Sequence, residues 1–96
     1  MKPTLQLALD FLELSRALQM AREAAAGGVQ WIEAGTPLIK SEGLNSIRAL
    51  RREFPKHYII ADLKTLDAGR TEFEAAAKAG ANCATVCSTD SDSTIM

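Results

Sequence analysis

Long apolar stretches are missing from this chain of 96 residues. No run approaches the roughly 20 residues needed to span a bilayer. The N-terminus, Met1-Lys2-Pro3-Thr4-Leu5-Gln6, lacks the apolar core of a signal peptide, so no membrane association is expected and the expected location is the cytoplasm. An excess of one charge is missing too. Eleven Lys and Arg stand against twelve Asp and Glu, for a net charge of −1, which leaves neither a basic footprint for nucleic acid nor an acidic tail. Aromatic residues make up only 5% of the chain, too few for a base-stacking platform. Histidine occurs once, at His57, and cysteine twice, at Cys83 and Cys87. Without a CxxC pair or further histidines a zinc site is not expected. On one extended segment the two cysteines would stand roughly 13 Å apart, at about 3.3 Å per residue, too far for a disulfide. They read as plain thiols. No GxGxxG or GxxxxGK[ST] loop is present to cradle a phosphate.

What is present is an ordinary soluble composition, 47% hydrophobic and 24% charged, long enough for one domain over residues 1–96 with a modest core. Strand and helix patterns alternate. Leu5–Asp10 reads as a first strand and Leu14–Ala26 as a helix with Leu14, Leu18, Ala21 and Ala25 on one face, stopped by Gly27-Gly28. Val29–Ala34 reads as a second strand, ended by Gly35-Thr36-Pro37. Ser41 is a candidate N-cap for a second helix that runs to about Phe54 before Pro55. Tyr58–Asp62 is a third strand. Thr71 and Glu74 have capping-box spacing for a third helix, which Gly80 closes, and Asn82–Cys87 is a fourth strand. A weak repeat, Glu23-Ala24-Ala25-Ala26 and Glu74-Ala75-Ala76-Ala77, suggests paired strand–helix units. Strands joined by single helices imply parallel pairing with right-handed crossovers. The expected fold is therefore α/β, either a small open sheet or a piece of a (β/α)₈ barrel, which needs at least about 200 residues when complete.

The chemistry concentrates in Ala61-Asp62-Leu63-Lys64-Thr65-Leu66-Asp67-Ala68-Gly69. Strand alternation sends Asp62 and Lys64 to the same face. Three predicted strands end in a carboxylate, Asp10, Glu33 and Asp62, and strand ends of a parallel sheet gather at the face where ligands bind. Each residue also has a plainer reading, Asp10 as a cap of the first helix and Asp67 of the third. Together they are hard to attribute to packing, because buried carboxylates need a partner or a metal. The oxygen-only pair Glu33 and Asp62 favours a hard cation, Mg²⁺ first. Lys64, set between carboxylates, stays charged, which suits electrostatic stabilisation of an enediolate and argues against a Schiff base. His57 reads as solvated, Trp31 as core, and the basic residues from Lys40 to Arg52 as a solvated helix face.

The segments Leu5–Asp10, Ile32-Glu33-Ala34-Gly35-Thr36-Pro37 with Glu42-Gly43, and Asp62-Leu63-Lys64-Thr65-Leu66-Asp67 resemble the 3-hexulose-6-phosphate synthase family of the orotidine-5′-monophosphate decarboxylase superfamily, over about Leu5 to Ile95. The D-x-K-x-x-D pattern points to the superfamily, and E-x-G-T-P narrows it to the synthases and the sister 3-keto-L-gulonate-6-phosphate decarboxylases. The resemblance implies a half of a TIM barrel, about four parallel strands and three helices. It also implies a Mg²⁺-dependent aldehyde-lyase that condenses formaldehyde with ribulose 5-phosphate through a 1,2-enediolate. Glu33 and Asp62 would match the metal ligands and Lys64 the residue that steadies the enediolate. Asp10 would match the aspartate lining the substrate site, and Asp67 the aspartate that reaches into a partner subunit's site. The family's phosphate-binding loops and a later-strand histidine have no counterpart here, and Val86-Cys87-Ser88-Thr89-Asp90-Ser91-Asp92 departs from the family's V-L-G-x-x-D run while Ser93-Thr94-Ile95 still fits. The chain therefore reads as an N-terminal half, with weak or no activity alone, completed by a second copy or by a C-terminal half-barrel. The alternatives are a decarboxylase of the sister type or a non-catalytic half-barrel that serves as an assembly module.

Overall fold

The computed structural model describes residues 3–87; the departure after Cys87 and the polar stretch Asp90–Met96 lie outside them. Eight elements follow one another: β1 (Gln6–Leu9), α1 (Leu14–Ala26), β2 (Trp31–Ala34), α2 (Thr36–Glu42), α3 (Asn45–Glu53), β3 (Tyr58–Thr65), α4 (Gly69–Ala79) and β4 (Cys83–Val86). The strands form one parallel sheet in the order β1-β2-β3-β4. Sequential order with crossovers of one hand puts every helix on the same side of the sheet. This is the arrangement of a partial (β/α) barrel.

Alternation along each strand divides the side chains between two faces. Leu9, Ile32, Ala34, Ile59 and Ala61 face the helices and pack with Ala17, Ala21, Leu38, Ile47, Leu50, Ala76 and Ala79 into one core. The residues between them, Ala8, Glu33 and Asp62, face the opposite, helix-free side. So do Trp31 and Tyr58, whose rings stack at 4.5 Å. Each of these two is 37% exposed, so Trp31 is not a core residue. It belongs to the face that the helices leave open.

Three further expectations are corrected. The second helix is two helices, α2 and α3, broken at Gly43-Leu44, and Ser41 lies inside α2 rather than at a cap. The start signal is Pro37 in the first turn of α2, where the missing N–H does no harm. Helix α4 begins at Gly69, so Thr71 falls in its first turn and makes no capping box. Glu72 is the anchor instead, accepting from the buried Thr65 hydroxyl at 2.8 Å. Third, β3 runs on to Thr65 rather than ending at Asp62.

At the amino ends of β3 and β4, Arg51 is not a solvated side chain. Its guanidinium donates to the carbonyls of Gly80 at 2.8 Å, His57 at 2.9 Å and Pro55 at 3.1 Å, and to the Asn82 side chain. Asn82 in turn accepts the Ile59 N–H at 2.8 Å. His57 is half-buried, with Nε2 at 3.1 Å from the Val29 carbonyl and its ring edge-on to Phe54. These contacts tie α3, β3 and α4 together at the end of the sheet opposite the carboxylates.

Candidate active site

The carboxyl ends of the strands carry the charged residues that the sequence singles out. Glu33 stands between the buried residues Ile32 and Ala34 of β2, which sends its side chain to the open face. Its carboxylate accepts from the Gln6 amide at 2.7 Å and lies within hydrogen-bonding reach of Asp62. Asp62 accepts from Lys64 Nζ at 2.6 Å on Oδ2 and from the Thr85 hydroxyl at 2.7 Å on Oδ1. Lys64 Nζ also donates to the Thr36 hydroxyl at 2.8 Å, and that hydroxyl donates to the Asp62 carbonyl at 2.8 Å.

Asp10 follows β1 and lies against Gly35. A Cβ built on Gly35 would fall 2.0 Å from Asp10 Oδ1 and 2.5 Å from the Leu9 carbonyl. Glycine at this position is what allows Asp10 to sit beside the end of β2. Asp10 caps nothing in α1; the Leu14 N–H at the start of that helix is taken by Glu42 at 2.8 Å.

The structure thus brings Asp10, Glu33, Asp62 and Lys64 into one electrostatic cluster. Asp67 stands apart. It is exposed and its carboxylate accepts the Ala68 N–H at 2.7 Å, ahead of α4 rather than as a cap on it. Thr36, Thr85 and Gln6 complete the polar network. Sequence reasoning assigned them no individual role, because a strand residue such as Gln6 or Thr85 carries no signal until the register shows what it faces, and Thr36 at the start of α2 read only as part of a strand-ending turn and of the E-x-G-T-P element.

Charge balance in the cluster is uneven. Glu33 is pushed above the ordinary carboxylate range, first by burial and then by the neighbouring charges of Asp62 and Asp10, with the Gln6 amide opposing. Burial acts on Asp62 in the same sense, but hydrogen bonds from Lys64 and Thr85 and the charge of Lys64 outweigh it, and Asp62 ends below its usual value. Lys64 is raised, chiefly by its hydrogen bond to Asp62. It is an ammonium at neutral pH, as expected.

That arrangement fits a hard divalent cation. Two close carboxylates repel when both ionise, as the raised Glu33 reflects, and a dication between them relieves that repulsion. Among the described residues no group of three or more His, Cys, Asp or Glu is placed to hold a metal. Mg²⁺ suits a two-carboxylate set, since it commonly keeps several waters and takes its remaining oxygens from substrate.

Comparison with known proteins shows the family. The chain is 46% identical to the 3-hexulose-6-phosphate synthase of Mycobacterium gastri over 91 residues, covering 95% of this chain and 44% of that protein. A crystal structure of a 3-hexulose-6-phosphate synthase superposes with a TM-score of 0.93 at 46% identity, over 97% of this chain and 44% of the other. The 3-keto-L-gulonate-6-phosphate decarboxylase of Vibrio cholerae gives a TM-score of 0.86 at 38% identity, over 90% of this chain and 40% of the other. The chain spans less than half the length of these relatives. The model of the orotidine 5′-phosphate decarboxylase / HUMPS family matches residues 3–96, and the chain belongs to that family.

Proposed function

We propose that this chain supplies the charged, metal-binding half of an aldehyde-lyase of the 3-hexulose-6-phosphate synthase type, which condenses formaldehyde with ribulose 5-phosphate. The observation that carries the reading is the Asp62–Lys64 ion pair at 2.6 Å beside Glu33 on the open face of the sheet. The 46% identity to a synthase favours this chemistry over that of the sister decarboxylase at 38%.

Glu33 and Asp62 would hold Mg²⁺, which when bound supplies positive charge to the oxygens of a 1,2-enediolate. The chain's own residues contribute charge and position. Lys64, kept protonated by Asp62, presents a second positive charge to the developing enediolate anion. Thr36 holds that ammonium in place. Asp10 lines the sugar's approach from the end of β1. Asp67, exposed and bonded to the Ala68 N–H, is assigned to the site of a partner subunit. An enediolate stabilised in this way is a carbon nucleophile toward formaldehyde.

The described sheet has two unpaired edges, β1 and β4, and an open face carrying Trp31, Tyr58 and Ile60. Such edges call for a partner. A complementing C-terminal half-barrel or a second copy of the chain would close the sheet and supply the phosphate contacts.

The test is formaldehyde consumption with ribulose 5-phosphate, with Mg²⁺ or with EDTA, alongside molar mass by light scattering. It is run on the chain alone and mixed with the portion of the Mycobacterium gastri relative that the chain does not match. Mg²⁺-dependent consumption that Asp62→Ala abolishes supports the reading. A folded, assembled complex without such turnover overturns it. Decarboxylation of 3-keto-L-gulonate 6-phosphate by the same complex, without aldol condensation, would select the sister activity.

A further inference from the structure

Between the pairs Ala61↔Ala84 and Thr65↔Val86, three residues of β3 stand opposite one residue of β4. The three are Asp62, Leu63 and Lys64, and the one is Thr85. The ladder is interrupted by a bulge, and bulges re-aim side chains beside functional sites. Lys64 sits in it with φ of +47°, in the left-handed region that a residue with a long side chain occupies only when its surroundings hold it there. Thr85 is the group that faces it. The Lys64 N–H donates to the Thr85 hydroxyl at 3.1 Å, and the same hydroxyl donates to Asp62 Oδ1 at 2.7 Å. One hydroxyl therefore fixes both the carboxylate that carries the ion pair and the backbone from which the ammonium projects.

We propose that Thr85 is a positioning residue of the site: through its single hydroxyl it sets the orientation of the Asp62 carboxylate and holds Lys64 in the bulge. Other contacts near Asp62 do not substitute for it. Lys64 Nζ binds the other carboxylate oxygen, Oδ2, and Thr36 binds the Asp62 carbonyl and the ammonium but not the carboxylate. Lys64 on one oxygen and Thr85 on the other hold the carboxylate in one orientation, with Glu33 beside it, and the bonds from Lys64 and Thr85 leave lone pairs for a further ligand. The consequence for metal affinity rests on the proposed role of Asp62 as a magnesium ligand. The consequence for Lys64 does not.

The experiment compares Thr85→Val, which keeps the branched shape and removes the hydroxyl, with Thr85→Ser, which keeps the hydroxyl. The first readout is amide hydrogen exchange by NMR without metal. Lys64 exchange should rise about fivefold or more in Thr85→Val, the worth of a typical hydrogen bond, and return toward the parent rate in Thr85→Ser. The Ile59 amide, whose acceptor is the Asn82 side chain next to β4, should not change. The second readout is Mg²⁺ affinity by calorimetry, expected to weaken roughly tenfold or more in Thr85→Val, as for other residues that orient metal ligands. Unchanged Lys64 exchange in Thr85→Val overturns the proposal, and so does equal acceleration at Lys64 and Ile59, which would mark Thr85 as a general support of the sheet. A parent that binds no Mg²⁺ but shows the selective Lys64 effect refutes the magnesium reading and leaves the positioning role standing. A parent whose Mg²⁺ affinity is lost in Asp62→Ala yet kept in Thr85→Val refutes the positioning of the carboxylate alone.

Discussion

Replacing Arg51 with alanine should destabilise this domain more than any other single change on its helix surface. The guanidinium holds four carbonyls, that of Phe54 only at 3.4 Å, and the Asn82 side chain, and two of its closer acceptors, Gly80 and His57, are half-buried. A hydrogen bond to a charged donor is worth roughly 1.5 kcal/mol at the lower end, so losing those two removes about 3 kcal/mol. The more exposed contact to Pro55 adds little. A domain of this size has about 5–15 kcal/mol in all. At about 4–8 °C per kcal/mol, the midpoint of thermal unfolding should fall by roughly 12–24 °C. Circular dichroism melts of the parent, Arg51→Ala and Arg52→Ala measure this directly. Arg52 is exposed on the same helix, and its removal should change stability by no more than about 0.5 kcal/mol. A fall below about 5 °C in Arg51→Ala, equivalent to roughly 1 kcal/mol, would refute the reasoning, as would equal effects at the two positions.

Other consequences of the geometry can be measured with the same material. Gly80→Ala should destabilise strongly, because its φ is +115° and an added Cβ would fall 2.6 Å from Arg51 Cγ; a melt within a few degrees of the parent would contradict this. Gly35→Ala should displace Asp10, because an added Cβ would fall 2.0 Å from its Oδ1, and should lower the proposed turnover of the complemented chain more than it lowers stability. Equal losses in the two would argue for a purely structural glycine. Thr65→Val removes the buried donor to Glu72 and should cost about 1 kcal/mol in urea unfolding, with no change if Glu72 finds water at no penalty.

Much of the fold was legible because parallel strands and their crossover helices announce themselves by alternation of type. The apolar runs before Asp10, Glu33 and Asp62 marked the strands, though β3 continues past Asp62 to Thr65, and the three carboxylates did come together. The misread places share a cause: they depend on pairing between distant segments. Helix α3 looked continuous with α2 because apolar spacing carries across Gly43, while Gly43 takes a positive φ of 68° that ends the first helix. Trp31 reads as core from the sequence, whereas the register places it with Glu33 on the face without helices. Arg51 looked like its neighbours Arg48 and Arg52 until the amino ends of β3 and β4 were seen beneath it. Strict alternation put Asp62 and Lys64 on one face for an incomplete reason: they meet, but through a bulge whose partner, Thr85, lies 21 residues beyond Lys64.

The most direct test of the central claim is a calorimetric titration of the folded chain with Mg²⁺, repeated on Asp62→Ala and Glu33→Gln. Saturable binding that disappears in Asp62→Ala and weakens in Glu33→Gln, with both variants still folded, is the predicted result. Parent-like affinity in both variants would contradict the assignment of these two carboxylates as the metal-binding core of the site.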